Sequence, residues 1–175
     1  MRQGLIHVYT GDGKGKTTAA LGLILRASGH GMRAVLVQFL KGGETGELRA
    51  LERLGGVTVL RNTRDFGFYA RASGVDRAEM ASQNSANLAE AARLARDGLC
   101  DLLVLDELCP AYQAGALDRK LADRLVFGKP AGLELVLTGR HAPPQFLEAA
   151  DYVTEFVNRR HPYDLGVPAR EGIEF

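Results

Sequence analysis

The sequence predicts a doubly wound α/β domain, a mostly parallel β-sheet with helices on both faces. Two patterns point to it. Short apolar runs, residues 102–105 at every position and residues 133–137 at all but Glu134, read as strands buried on both faces. Helical stretches alternate with those runs along the chain, as crossover connections between parallel strands require. With 175 residues the chain makes one domain over residues 1–175, large enough to bury a core without disulfide or metal support.

Residues 5–10 form an apolar, β-branched run that ends at Gly11, and residues 16–28 carry Ala, Leu and Ile without a breaker, giving strand, glycine turn and helix. A second strand over residues 34–40 follows the Gly29-His30-Gly31 break. In residues 44–54, Leu48, Leu51 and Leu54 stand at helical spacing, and residues 57–60 offer a third strand. The Ala-rich segment 76–97 sets Leu88, Ala92 and Ala95 on one helix face and stops at Gly98. Two further strands, residues 102–105 and 133–137, are closed by Asp106-Glu107 and by Thr138-Gly139-Arg140. Ligands of such sheets bind beyond the carboxyl ends of the strands. The candidate positions are therefore the glycine loop after Thr10, Gln38 and Lys41, Asp106-Glu107, and Thr138-Gly139-Arg140.

Composition narrows the function classes. Lys plus Arg total 22 against 21 Asp plus Glu, so no global field favours nucleic acid, and an anion site must arise from local geometry. Cys100 and Cys109 lack CxxC spacing, which predicts reduced thiols and no zinc site. No signal-peptide core or apolar run of transmembrane length is present, and the expectation is a cytoplasmic protein without a membrane partner.

The most informative stretch is Thr10-Gly11-Asp12-Gly13-Lys14-Gly15-Lys16-Thr17-Thr18. Gly15-Lys16-Thr17 at the start of a helix is the working end of a phosphate-binding (Walker A) loop, so the fold expected is that of the P-loop NTPases. Glycines free backbone N–H groups to face phosphate oxygens, the helix N-terminus adds partial positive charge, and Lys16 adds a full one. The Thr17 hydroxyl suits a Mg²⁺ held by the same phosphates. The usual pattern has glycine where this chain has Thr10. Asp106-Glu107 at a strand end resembles the Walker B element that supplies a carboxylate to Mg²⁺, although acidic residues there also cap helices.

A phosphate loop does not name a reaction. The chain has no Asn-Lys-x-Asp to read guanine and no arginine-rich lid segment, which disfavours a GTPase and weakens the case for a small-molecule kinase. A P-loop nucleotidase or kinase and a non-enzymatic ATP-switched module are the competing readings. The first predicts ADP and phosphate or a phosphorylated acceptor. The second predicts ATP binding without turnover.

The segment Gly11-Asp12-Gly13-Lys14-Gly15-Lys16-Thr17-Thr18-Ala19-Ala20 resembles the loop of the ATP:corrinoid adenosyltransferases, in the cob(I)yrinic acid a,c-diamide adenosyltransferase branch. Val37-Gln38-Phe39-Leu40-Lys41-Gly42, Leu137-Thr138-Gly139-Arg140, Ala150-Asp151-Tyr152-Val153-Thr154-Glu155, His161-Pro162-Tyr163-Asp164 and Ala169-Arg170-Glu171-Gly172-Ile173-Glu174 match that family in order and spacing, across nearly the whole chain.

The resemblance implies attack of a Co(I) corrinoid on the ribose C5′ of ATP, with triphosphate released. It implies Lys16 and Glu107 as catalytic groups, with Thr17 and Glu107 on Mg²⁺. ATP, lying reversed relative to ordinary NTPases, would be held by Gly11, Asp12, Gly13, Lys14, Gly15, Lys16, Thr17, Thr18 and Arg26. Arg26 is equally consistent with a solvated helix residue. Phe66 and Phe68 fall where some members set aromatic rings against the lower face of the corrin, and one member has Trp at the position of Phe68; core packing is the alternative. A homodimer and an electron-donating flavoprotein are further implications. Few residues precede the first strand, where some relatives carry a segment over the corrinoid, so another element or a partner subunit is expected to close that site.

Overall fold

A computed structural model describes residues 3–67 and 69–174. Its strands are β1 (Ile6–Thr10), β2 (Ala34–Gln38), β3 (Val57–Arg61), β4 (Leu102–Asp106), β5 (Glu134–Thr138) and β6 (Tyr152–Glu155). The helices are α1 (Lys16–Gly29), α2 (Gly46–Leu51), α3 (Gly74–Arg96), α4 (Leu108–Gln113), α5 (Arg119–Phe127) and α6 (Pro144–Ala149), with 3₁₀ turns at Tyr69–Arg71 and Pro162–Leu165. The strands form one sheet in the order β3-β2-β4-β5-β1-β6, and every pairing is parallel.

Side-chain alternation along the central strands divides the core into two layers. Val35, Val37, Leu103, Leu105, Leu135 and Leu137 point to one face and pack with Leu88 of α3, Leu108 of α4, Leu125 of α5 and Phe146 of α6. Ala34, Leu36, Leu102, Val104 and Val136 point to the other, against Ala20 and Ile24 of α1 and Leu51 of α2. Both faces of the sheet are thus covered, which is why β2 and β4 are apolar at nearly every position and buried throughout. The helix starts are chemically marked: Ser73 Oγ accepts from the Asp76 N–H and the Asp118 side chain from the Leu121 N–H.

Two differences from the sequence expectation bear on the site. The second strand stops at Gln38 rather than residue 40, because Leu40 turns into the left-handed region (φ 60) and takes the chain off the sheet. Residues 152–155 form an edge strand beside β1 with all four residues exposed, so no apolar run marks it. Among the described residues no helix is long and apolar enough to cross a membrane.

Candidate functional site

The glycine loop lies at the carboxyl end of β1, and Gly15 (φ 116) caps α1 in a conformation glycine adopts without strain. Gly11 (φ 95) and Gly13 are each required by close packing beneath the loop. A Cβ on Gly11 would stand 2.3 Å from the Phe156 carbonyl oxygen, and one on Gly13 2.8 Å from the backbone of Phe156 and Val157. The Gly13 N–H donates to that same carbonyl at 2.7 Å. Asp12 accepts from the Asn158 N–H, so the chain leaving β6 forms the floor of the loop. Lys16 is buried, its ammonium donating to the Gly11 and Gly13 carbonyls at 2.7 Å each. Burial lowers its pKa, the Glu107 carboxylate opposes that shift, and Arg140 adds to it.

Asp106, fully buried at the end of β4, is the hub beside the loop. Its Oδ1 accepts from the Thr17 and Thr138 hydroxyls at 2.8 Å each, and its Oδ2 meets Lys41 Nζ at 2.9 Å. The Glu107 N–H donates to Thr138 Oγ1 at 2.9 Å. Burial raises the Glu107 pKa and the charge of Asp106 raises it further, while Lys41, Lys16 and Arg140 pull it down. Three described non-glycine residues have positive φ: Leu40 (60), Glu107 (59) and His141 (53). Each follows the carboxyl end of one of the three neighbouring strands β2, β4 and β5 by a few residues. Backbone strain of about 1–3 kcal/mol per residue is thereby concentrated around one site.

The loop, with Lys41 and Glu107 beside the Asp106 hub, faces a cavity of about 660 Å³ that is also lined by the C-terminal segment through His161, Gly172, Ile173 and Glu174. Glu174 Oε1 accepts from Lys14 Nζ at 2.7 Å, and Arg170 binds the same carboxylate through Nη2 at 3.1 Å and Nε at 3.2 Å. These cations hold the Glu174 pKa down to about 2. His161 Nδ1 accepts from the Tyr163 N–H and caps the last 3₁₀ turn. Lys16, Lys41 and Arg140 bring positive charge to the cavity wall, while Thr17, Glu107 and the adjacent Asp106 bring hard oxygen donors. The Thr45 hydroxyl, on the same wall, is a buried group with no hydrogen-bond partner among the described residues. A polyphosphate with a small oxygen-seeking cation suits such a wall.

The family model for the ATP:corrinoid adenosyltransferases BtuR/CobO/CobP matches residues 2–175. The chain belongs to this family. It is 38% identical over 175 residues to a corrinoid adenosyltransferase of Pseudomonas aeruginosa, an alignment covering 99% of this chain and 84% of that protein. It is 37% identical to one of Sinorhizobium sp (99% and 81% covered) and 34% identical to the corrinoid adenosyltransferase CobA of Salmonella typhimurium (99% and 86%).

For an adenosyltransferase of this family, the structure groups the expected residues unevenly. Asp12, Gly13, Lys14, Gly15, Lys16, Thr17, Thr18 and Glu107 line the cavity, and Gly11 supports it from below. Thr17 is bonded to Asp106, not to Glu107. Arg26 lies ten residues along α1 from Lys16, about 15 Å at the helical rise, and lines a separate cavity of about 360 Å³ with His30, Met32 and Glu134. Phe66 sits under the Arg64 guanidinium (4.0 Å) in the loop after β3 and does not line the larger cavity. That loop abuts residues 42–43, next to Lys41. Phe68 lies outside the described residues. The contacts of Lys41, Thr138 and Glu174 were invisible to motif reading, since each is made across elements distant in sequence.

Proposed function

We propose that this chain transfers the 5′-deoxyadenosyl group of ATP to the Co(I) of a corrinoid in the 660 Å³ cavity, releasing triphosphate. The observation that carries the reading is Gly15-Lys16-Thr17 opening α1 onto that cavity in a chain matched end to end by the family model. In this reaction the Co(I) electron pair forms the Co–C5′ bond and the C5′–O bond breaks, its pair leaving on the triphosphate. No proton needs removal from the nucleophile, so the protein's task is positioning and charge neutralisation.

The triphosphate must be held as one unit. Lys16 and the N-terminus of α1 supply positive charge where negative charge develops, with Lys14 and Thr18 beside them. Thr17, Glu107 and Asp106 are the oxygen donors for Mg²⁺. The described residues contain no group of three or more His, Cys, Asp or Glu able to hold a metal alone, which suits an ion bound largely through substrate phosphates and water. Bound there, Mg²⁺ would neutralise charge on the leaving triphosphate.

Phe66, and Phe68 by resemblance, belong to the corrinoid side of the reading. The same reading has the enzyme work in the cytoplasm, take an electron from a flavoprotein and pair as a homodimer. The exposed edge of β6, with Tyr152 and Val153 each about half exposed, supports the last.

The test is anaerobic incubation with ATP, Mg²⁺ and chemically reduced cob(I)alamin. A light-sensitive adenosylcorrinoid with matching triphosphate is expected. Phosphate release without a Co–C bond would replace this reading with an ordinary ATPase or kinase.

A further inference from the structure

Lys41 is held in place from both sides. Before it, the Phe39 N–H donates to the Asp106 carbonyl at 3.0 Å, the Phe39 ring is fully buried, and Leu40 takes its left-handed turn. After it, Gly42 lies so close to the next loop that a Cβ would stand 1.8 Å from the Arg64 carbonyl oxygen. The outcome of this constrained path is one placement: Lys41 Nζ at 2.9 Å from Asp106 Oδ2, on the cavity wall that also carries Lys16.

An ammonium has three donors, and the bond to Asp106 uses one. The Lys41 side chain keeps 33% of its surface exposed and lines the cavity while the Asp106 carboxylate is fully buried, so the ammonium meets Asp106 from the cavity side with two donors beyond that bond. Asp106 is also anchored without Lys41, through the Thr17 and Thr138 hydroxyls on its other oxygen.

We propose that Lys41 is a second triphosphate-binding cation, donating to a phosphate oxygen while still bonded to Asp106. The proposal rests on the cavity being the ATP site. It divides the load between two lysines, one on the β1–α1 loop and one at the exit of β2, which suits a reaction whose leaving group is a whole triphosphate.

The test is calorimetric titration of the full chain with inorganic triphosphate and, separately, with adenosine, at fixed Mg²⁺. Lys41→Met is expected to weaken triphosphate about tenfold, the loss of one charge-assisted hydrogen bond, and to leave adenosine within about twofold. Lys41→Arg should keep triphosphate within about threefold. In an Asp106→Asn background Lys41→Met should still cost triphosphate about fivefold or more. Equal losses of triphosphate and adenosine, or a triphosphate loss that vanishes in the Asp106→Asn background, would assign Lys41 to holding Asp106 and overturn the proposal. Lys16→Ala, titrated alongside, separates the two levels. If Lys16→Ala abolishes triphosphate binding and Lys41→Met does not weaken it, the role of Lys41 falls and the ATP site stands. If the wild-type chain binds no triphosphate, both fall.

Discussion

Lys14 and Glu174 stand 160 residues apart in the sequence and 2.7 Å apart at the mouth of the cavity. Lys14 is bonded to the Ile173 carbonyl as well, at 3.4 Å, so two hydrogen bonds from one side chain tie residues 173–174 to the glycine loop. The pair therefore couples the phosphate loop to the C-terminal segment.

Glu174→Gln should release that segment. Faster hydrogen exchange over residues 165–174, and faster tryptic cleavage after Arg170, are expected with the melting temperature nearly unchanged, because exposed ion pairs contribute little to global stability. The pH dependence has a definite sign. Glu174 is held down to about 2, below its ordinary carboxylate range, so the contact is intact above that range and is lost as pH falls toward 2. Protection of residues 165–174 should be level from pH 8 to about pH 5. A loss of protection near neutral pH would assign the docking of this segment to other groups.

Lys16→Ala should lower kcat by about 10²–10³-fold, the usual effect of removing one preorganised donor from a developing anion. Burial depresses the pKa of this lysine, so affinity for ATP should begin to fall with rising pH below the ordinary lysine value of about 10.4. Turnover by Lys16→Ala within about threefold of wild type would remove Lys16 from the triphosphate site.

Two glycines separate packing from flexibility. Gly11→Ala puts a methyl 2.3 Å from the Phe156 carbonyl at φ 95, and a destabilisation of about 2 kcal/mol or more is expected, a fall in Tm of about 4–8 °C. Gly22→Ala, in α1 with open space around its Cβ, should instead stabilise by about 0.5–1 kcal/mol. Thermal melts of the two variants against wild type test both, and equal melting temperatures would contradict the packing seen beneath the loop.

What was legible in the sequence is what is local. An apolar strand, glycines and Lys16-Thr17 opening a helix mark the strand, loop and helix of the proposed phosphate site, since every part lies within one short stretch of chain. The buried faces of β4 and β5 are equally plain, because continuous apolar runs have few other uses in a chain of this size. β6 was not legible as a strand: its four residues lie exposed on an edge, and only pairing with β1 makes them extended. The turn at Leu40 was hidden too, since leucine does not favour positive φ and the burial of Phe39 and the closeness of Arg64 to Gly42 impose it. The hub at Asp106 needs three strands and a helix to meet, which no spacing in the sequence records.

Arg26→Ala tests where the nucleoside lies. Arg26 is exposed on α1 and shares a cavity with Leu23, His30, Met32 and Glu134, separate from the cavity proposed to hold the triphosphate. Burial raises the Tyr9 pKa, and the Arg26 charge pulls it part of the way back down. From this placement, Arg26→Ala should change ATP affinity by less than about twofold, since screened charges about 15 Å apart interact weakly in water. Calorimetry with ATP and with triphosphate alone measures it. A tenfold loss for ATP with none for triphosphate would bring the nucleoside to Arg26. That outcome would require α1 to contribute to a nucleoside site far from its own N-terminus, by a rearrangement of the chain or across a subunit boundary.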